Sequence, residues 1–87
     1  MGAGFQMVVR LFSSQEPIVI QVEEDNTILE VKQMVFEKMD RNEDYSPVNQ
    51  RLHWAGRGLE EERTIGDYEI NNSLPFILVL RLRIYDQ

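Results

Sequence analysis

Two short stretches have β-rich, mostly apolar composition, Gln6 to Leu11 and Ile18 to Val22, and between them Ser13-Ser14-Gln15-Glu16-Pro17 reads as a turn. β-Branched and other apolar residues favour strands, and two such runs around a short polar loop predict a β-hairpin. Strand parity puts Phe5, Met7 and Val9 on one face, together with Ile18, Ile20 and Val22 of the second run. These are the expected inward sets.

After Glu23-Glu24-Asp25-Asn26 the period changes. Ile28, Val31, Met34 or Val35, and Met39 recur at three- and four-residue intervals, which predicts a helix over about residues 27–39 with one apolar stripe. Thr27 with Glu30 three residues on forms a capping box at its start. The methionines read as core filler rather than as a binding surface.

Asp40 to Asn49 is polar, contains Pro47 and reads as a loop. Gln50-Arg51-Leu52-His53-Trp54 is a short strand, ended by Ala55-Gly56-Arg57-Gly58, where a turn needs the positive φ that glycine tolerates. Leu59 can form a brief return pairing. Thr64 to Tyr68 reads as one helical turn with Ile65 and Tyr68 inward, and Asn71-Asn72-Ser73 turns the chain into a last strand. The expected class is α+β, with one helix packed across one face of a mixed sheet.

That last strand carries five consecutive apolar residues, Phe76 to Leu80. If Phe76, Leu78 and Leu80 enter the core, Ile77 and Val79 point to the uncovered face. Adjacent apolar groups on an open sheet face mark an interaction site more often than isolated ones do.

Composition narrows the function. Eighty-seven residues, 43% of them hydrophobic, make one compact domain able to bury roughly 60–65% of its unfolded surface. The net charge of −6 argues against a nucleic-acid partner, since phosphate binding needs a basic surface. No stretch is apolar enough to suggest a leader or a membrane span, so the expectation is a soluble intracellular protein, in cytoplasm or nucleus. Gly2 is followed by Gln6 where a myristoylation signal requires Ser or Thr, so residues 1–4 read as a flexible terminus or cloning remnant.

Catalytic chemistry finds little support. His53 is the only histidine and cysteine is absent, which removes the usual zinc spacings and any thiolate nucleophile. Glu23-Glu24-Asp25 and Glu60-Glu61-Glu62 read as solvated turns. Gly56-Arg57-Gly58 lacks the lysine and hydroxyl residue of a phosphate loop. The chain is expected not to be an enzyme and to need no cofactor.

Gln50-Arg51-Leu52, Ala55-Gly56, Leu59-Glu60, Arg63-Thr64, Asp67-Tyr68, Ile70 and Leu78-Val79-Leu80-Arg81-Leu82-Arg83 together resemble the ubiquitin family, as do Thr27-Ile28 with Val31-Lys32, and Gln6 with Ile18 and Val22. The resemblance covers residues 5–83 and implies the β-grasp fold. It departs at Ile84-Tyr85, where the family's conjugated members carry two glycines. Conjugating enzymes thread that slender tail, and a branched and an aromatic residue should not follow it. The position of the family's most familiar chain-linking lysine is Arg57, and only Lys32 and Lys38 offer amines. Residues 84–87 are therefore expected to be a tail or a junction to a larger protein.

The resemblance also implies a docking patch of leucine, isoleucine and valine on the open sheet face. The matching positions are Phe12, His53 and Val79, while Ile77 stands where histidine is usual, as though two neighbouring strands had exchanged these residues. Phe12, Arg51, His53, Gly56, Ile77, Val79 and Arg81 form the expected protein-binding set. Arg10, Arg51, Arg57, Arg81 and Arg83 would give it a basic rim. The reading is a non-conjugated, monomeric interaction domain for ubiquitin-binding modules or proteasomal receptors. The alternatives are a modifier processed from a longer precursor, or an autoregulatory domain of a ligase or deubiquitinase.

Overall fold

A computed structural model describes residues 4–11 and 16–81. The expectations placed on Phe12, Arg83 and the 84–87 tail lie outside the described residues. In chain order the elements are β1 (Phe5–Leu11), β2 (Ile18–Val22), α1 (Ile28–Lys38), β3 (Gln50–Trp54), β4 (Arg57–Gly58) and β5 (Phe76–Leu80). The strands form one mixed sheet in the order β2-β1-β5-β3-β4. β1 and β5 run parallel at its centre, while β1/β2, β3/β5 and β3/β4 are antiparallel.

The helix starts where its cap predicts. The Glu30 N–H donates to Thr27 Oγ1 at 3.1 Å, and the Thr27 N–H donates to Glu30 Oε1 at 2.9 Å. Two more first-turn amides find carbonyls across the chain: Ile28 N–H reaches Arg63 O at 2.8 Å and Leu29 N–H reaches Glu61 O at 3.1 Å. A helix start leaves four amides without intrahelical partners, and here the 60–65 segment supplies acceptors for two of them. That segment is fastened in turn by Gly66, whose N–H donates to Glu24 O at 2.8 Å. A Cβ on Gly66 would meet the same carbonyl oxygen at 3.3 Å, so glycine allows this close approach.

The stripe of α1 packs on one face of the sheet. Ile28, Val31 and Val35 join Met7, Val9, Ile20, Val22, Leu52, Ile65, Phe76 and Leu78 in one buried cluster, with Met34 and Met39 partly covered at its margin. Each fully buried large apolar side chain contributes about 1.5–3 kcal/mol relative to exposure.

Three local features differ from the sequence reading. The 40–49 segment holds two 3₁₀ turns, Glu43–Tyr45 and Pro47–Asn49, rather than open loop. Asn42 caps the first by accepting from the Asp44 N–H at 2.9 Å. The return pairing falls on Arg57 and Gly58, not on Leu59, although the Leu59 N–H still donates to Leu52 O at 3.0 Å. Ala55 and Gly56 both take positive φ, 53° and 80°, which matches the right-handed twist of a tight two-residue hairpin. Finally, Lys32 is 6% exposed, its ammonium paired with Glu61 at 2.9 Å. The periodicity of the helix gave no hint of a buried charge.

Candidate protein-docking surface

Cross-strand register decides which outward residues are neighbours. Ile77 of β5 lies opposite Arg10 of β1 on one side and His53 of β3 on the other. Val79, two residues on, lies opposite Arg51. Ile77 and Val79 thus form a short apolar ridge, flanked by Arg10, His53 and Arg51, all on the face away from the helix. Side chains directly opposite in adjacent strands are close enough to act as one surface.

The ridge is half-covered rather than bare. The His53 ring lies over β4: a Cβ added to Gly58 would stand 3.7 Å from both His53 Cδ2 and Nε2. The imidazole is thus within ordinary van der Waals range of position 58, while its own strand, β3, sets His53 opposite Ile77. Arg51, His53 and Arg81 border a common shallow cleft of about 330 Å³. Arg81 is held at the end of β5 by its N–H, which donates to Asn49 O at 2.7 Å.

The charged cross-strand neighbours of the ridge, Arg10 and Arg51, are both cationic, while Glu60 and Glu61 also line the cleft that Arg51 and Arg81 border. Arg10, Arg51 and Arg81 form no ion pair among the described residues. Arg57 instead stacks over the Tyr68 ring at 5.2 Å, and the Tyr68 hydroxyl accepts from the Glu60 N–H at 2.9 Å. Arg57 is thereby drawn toward the 60–68 segment, away from the ridge. Gly56 lies at the tip of the β3–β4 turn, where its role is conformational.

The structure brings Arg51, His53, Ile77 and Val79 together, with Arg81 at the border. The sequence reading missed the other half of the same face. Val8 and Val19 are cross-strand partners, 38% and 43% exposed, and Leu74 is 47% exposed. All three border a shallow cleft of about 410 Å³ that also touches Arg10. The signal for Val8 and Val19 was available: the parity that sent Met7, Val9, Ile18 and Ile20 inward sends these two outward. Leu74 could not be assigned that way, because it precedes β5 and its exposure depends on how the loop folds.

Chemically, the surface offers apolar contact, guanidinium donors and one imidazole. Among the described residues no three His, Asp or Glu side chains come close enough to hold a metal ion. Compared with known protein families, the chain matches the model of the ubiquitin family over residues 7–83.

Proposed function

The chain belongs to the ubiquitin family, and from that premise we propose that it is a non-conjugated interaction domain of the ubiquitin–proteasome pathway, docking ubiquitin-recognising partners on the open face of its sheet. Ubiquitin-like domains are generally non-catalytic and generally mediate protein–protein contacts, which leaves the question of which surface docks. The observation that carries the reading is the register Arg10–Ile77–His53 beside Val79–Arg51, an apolar centre beside arginines that form no ion pair among the described residues. A partner helix or receptor pocket with acidic flanks fits that arrangement. The apolar centre supplies affinity, and the guanidinium rim speeds encounter and selects partners.

The non-conjugated part rests on residue identity. Ile84-Tyr85 replace the paired glycines that follow the Leu-Arg-Leu-Arg motif in conjugated members, and Lys32 is committed to Glu61 inside the fold. Proteasomal receptors and helical ubiquitin-binding modules of cytoplasm or nucleus are the partners this reading selects.

The test is a titration of the isotopically labelled domain with a helical ubiquitin-binding module, followed by NMR. Shifts should centre on Ile77, Val79 and His53, and Ile77→Asp should abolish them with the fold retained. Unchanged affinity in that variant overturns the reading.

A further inference from the structure

β5 lies in the middle of the sheet, with β1 on one side and β3 on the other. Just before it stands Leu74, an exposed apolar residue that strand parity cannot place. Leu74 precedes Pro75, and a residue before proline is confined to extended backbone. Proline also brings no N–H, so the chain enters β5 without the donor that another residue at 75 would offer. The β3–β5 register runs from Gln50 opposite Leu80 to His53 opposite Ile77 and ends there.

The next residue of β3 makes a bond by another route. Trp54 Nε1–H donates to Leu74 O at 3.1 Å. The indole is itself held, because Trp54 pairs with Arg57 of β4 and its side chain packs on the margin of the buried cluster. Within the loop, the Ser73 N–H donates to Asn71 Oδ1 at 2.9 Å, which shapes the turn but does not tie it to the sheet. The indole bond ties Leu74 to β3.

So placed, Leu74 borders the cleft it shares with Val8, Val19 and Arg10 on the open face. Arg10 also stands opposite Ile77, so the cleft and the ridge are continuous. Leu74, Ile77 and Val79 then follow one another along the line of β5. Five residues of extended chain span at most about 17 Å, a length that three turns of helix cover at about 16 Å. An added strand has no edge to join here, since β5 is paired with a strand on each side. A helix satisfies its own amides and carbonyls and needs only the side chains. No carboxylate borders the cleft among the described residues, which leaves Arg10 open to an acid on such a helix.

We propose that Leu74, positioned by the Trp54 indole, is a specificity-determining contact of the docking surface: a partner helix lies along β5 over Leu74, Ile77 and Val79, with an acid at Arg10. The inference rests on the docking reading of the open face and adds to it a contact that lies outside the strands. Trp54 is a positioning residue here. It acts through Leu74 and not by touching the partner.

The experiment titrates the labelled domain with the helical ubiquitin-binding module, as wild type, Leu74→Ser, Trp54→Phe and the double variant. Leu74→Ser should weaken binding about fivefold, the effect of a contributing apolar contact. Trp54→Phe keeps an aromatic ring and loses the N–H. It should weaken binding about two- to threefold, and in the free domain it should shift the Leu74 amide while leaving those of Ile77 and Val79 in place. In the double variant the Trp54 effect should vanish, because residues that act through one another are not additive. Leu74 is exposed, so Leu74→Ser should keep its fold, and its amide spectrum checks that. Leu74→Ser binding like wild type, while Ile77→Asp abolishes binding, overturns this inference and leaves the docking reading standing. Ile77→Asp binding like wild type removes both. A Trp54→Phe effect that persists undiminished beside Leu74→Ser overturns the positioning role. Should Trp54→Phe not fold, Leu74→Ser alone decides.

Discussion

On the helix-covered face of the sheet Met7, Val9, Val22, Phe76 and Leu78 are fully buried, whereas on the open face Val8, Val19, Ile77 and Val79 keep part of their surface. The two faces use the same residue types in the same strands. What separates them is the single helix and the 59–70 segment that packs with it: the covered face gains from water exclusion, while the open face holds apolar surface that folding does not use. Within the open face a second contrast appears. The β1–β2 half is the more exposed and carries no charge except Arg10 at its border, while the β5–β3 half is partly covered and ringed by arginine. Exposure alone therefore picks a different patch from the one that charge and register pick.

The difference between faces can be broken by substitution at adjacent positions of β5. Phe76→Ala should cost about 3–5 kcal/mol of unfolding free energy in urea titration, because a large buried ring leaves a cavity. Its neighbour Ile77→Asp should cost far less stability, yet remove about 2 kcal/mol or more of docking energy in the NMR titration, as expected of a central contact. If the two variants lose stability equally, the open face is not free surface. Val8→Asp, on the other half of the open face, should change that same affinity less than about twofold, which corresponds to the small effect of a residue outside the central contact. A loss as large as that of Ile77→Asp would move the docking centre toward β1.

The cover itself can be loosened in two graded ways. Glu61→Gln leaves the buried Lys32 ammonium without its counter-charge. Because Glu61 is itself about half exposed (46%), water screens the pair, and the expected loss is about 1–2 kcal/mol rather than the full value of a buried pair. Thr27→Ala removes the side-chain acceptor of the capping box and should cost about 1 kcal/mol by thermal or denaturant unfolding. A Thr27→Ala protein as stable as wild type would show that the 60–65 segment, not the cap, fixes the start of α1. The smallest effect is expected from Val19→Thr, within about 0.5 kcal/mol, since an exposed, β-branched position loses little on gaining a hydroxyl.

Much of the fold was legible residue by residue. The β-rich runs at Gln6–Leu11 and Ile18–Val22, the three-and-four spacing behind Thr27, and the apolar run at Phe76 each report a local fact about the backbone. The capping box formed as read because all of its groups lie within one turn of chain. The candidate ridge was legible only in part. Parity showed that Ile77 and Val79 face outward but could not show that Arg10 and His53 flank Ile77, which depends on the pairing of strands distant in sequence. Lys32 looked like an ordinary helical lysine, and only the arrival of Glu61 beside it makes its burial tolerable.

By itself, then, the sequence determined the order of elements, the inward and outward sets of each strand, the helix cap and the chemical character of the outward residues, because these follow from periods of two and 3.6 and from contacts inside a single turn. The tertiary structure decided which outward side chains become neighbours. It also decided which edge of the sheet remains open, and that Tyr45 of the 40–49 segment walls a groove beside that edge. These are consequences of strand register and loop packing, which join residues far apart in the chain and are fixed only when the whole core closes.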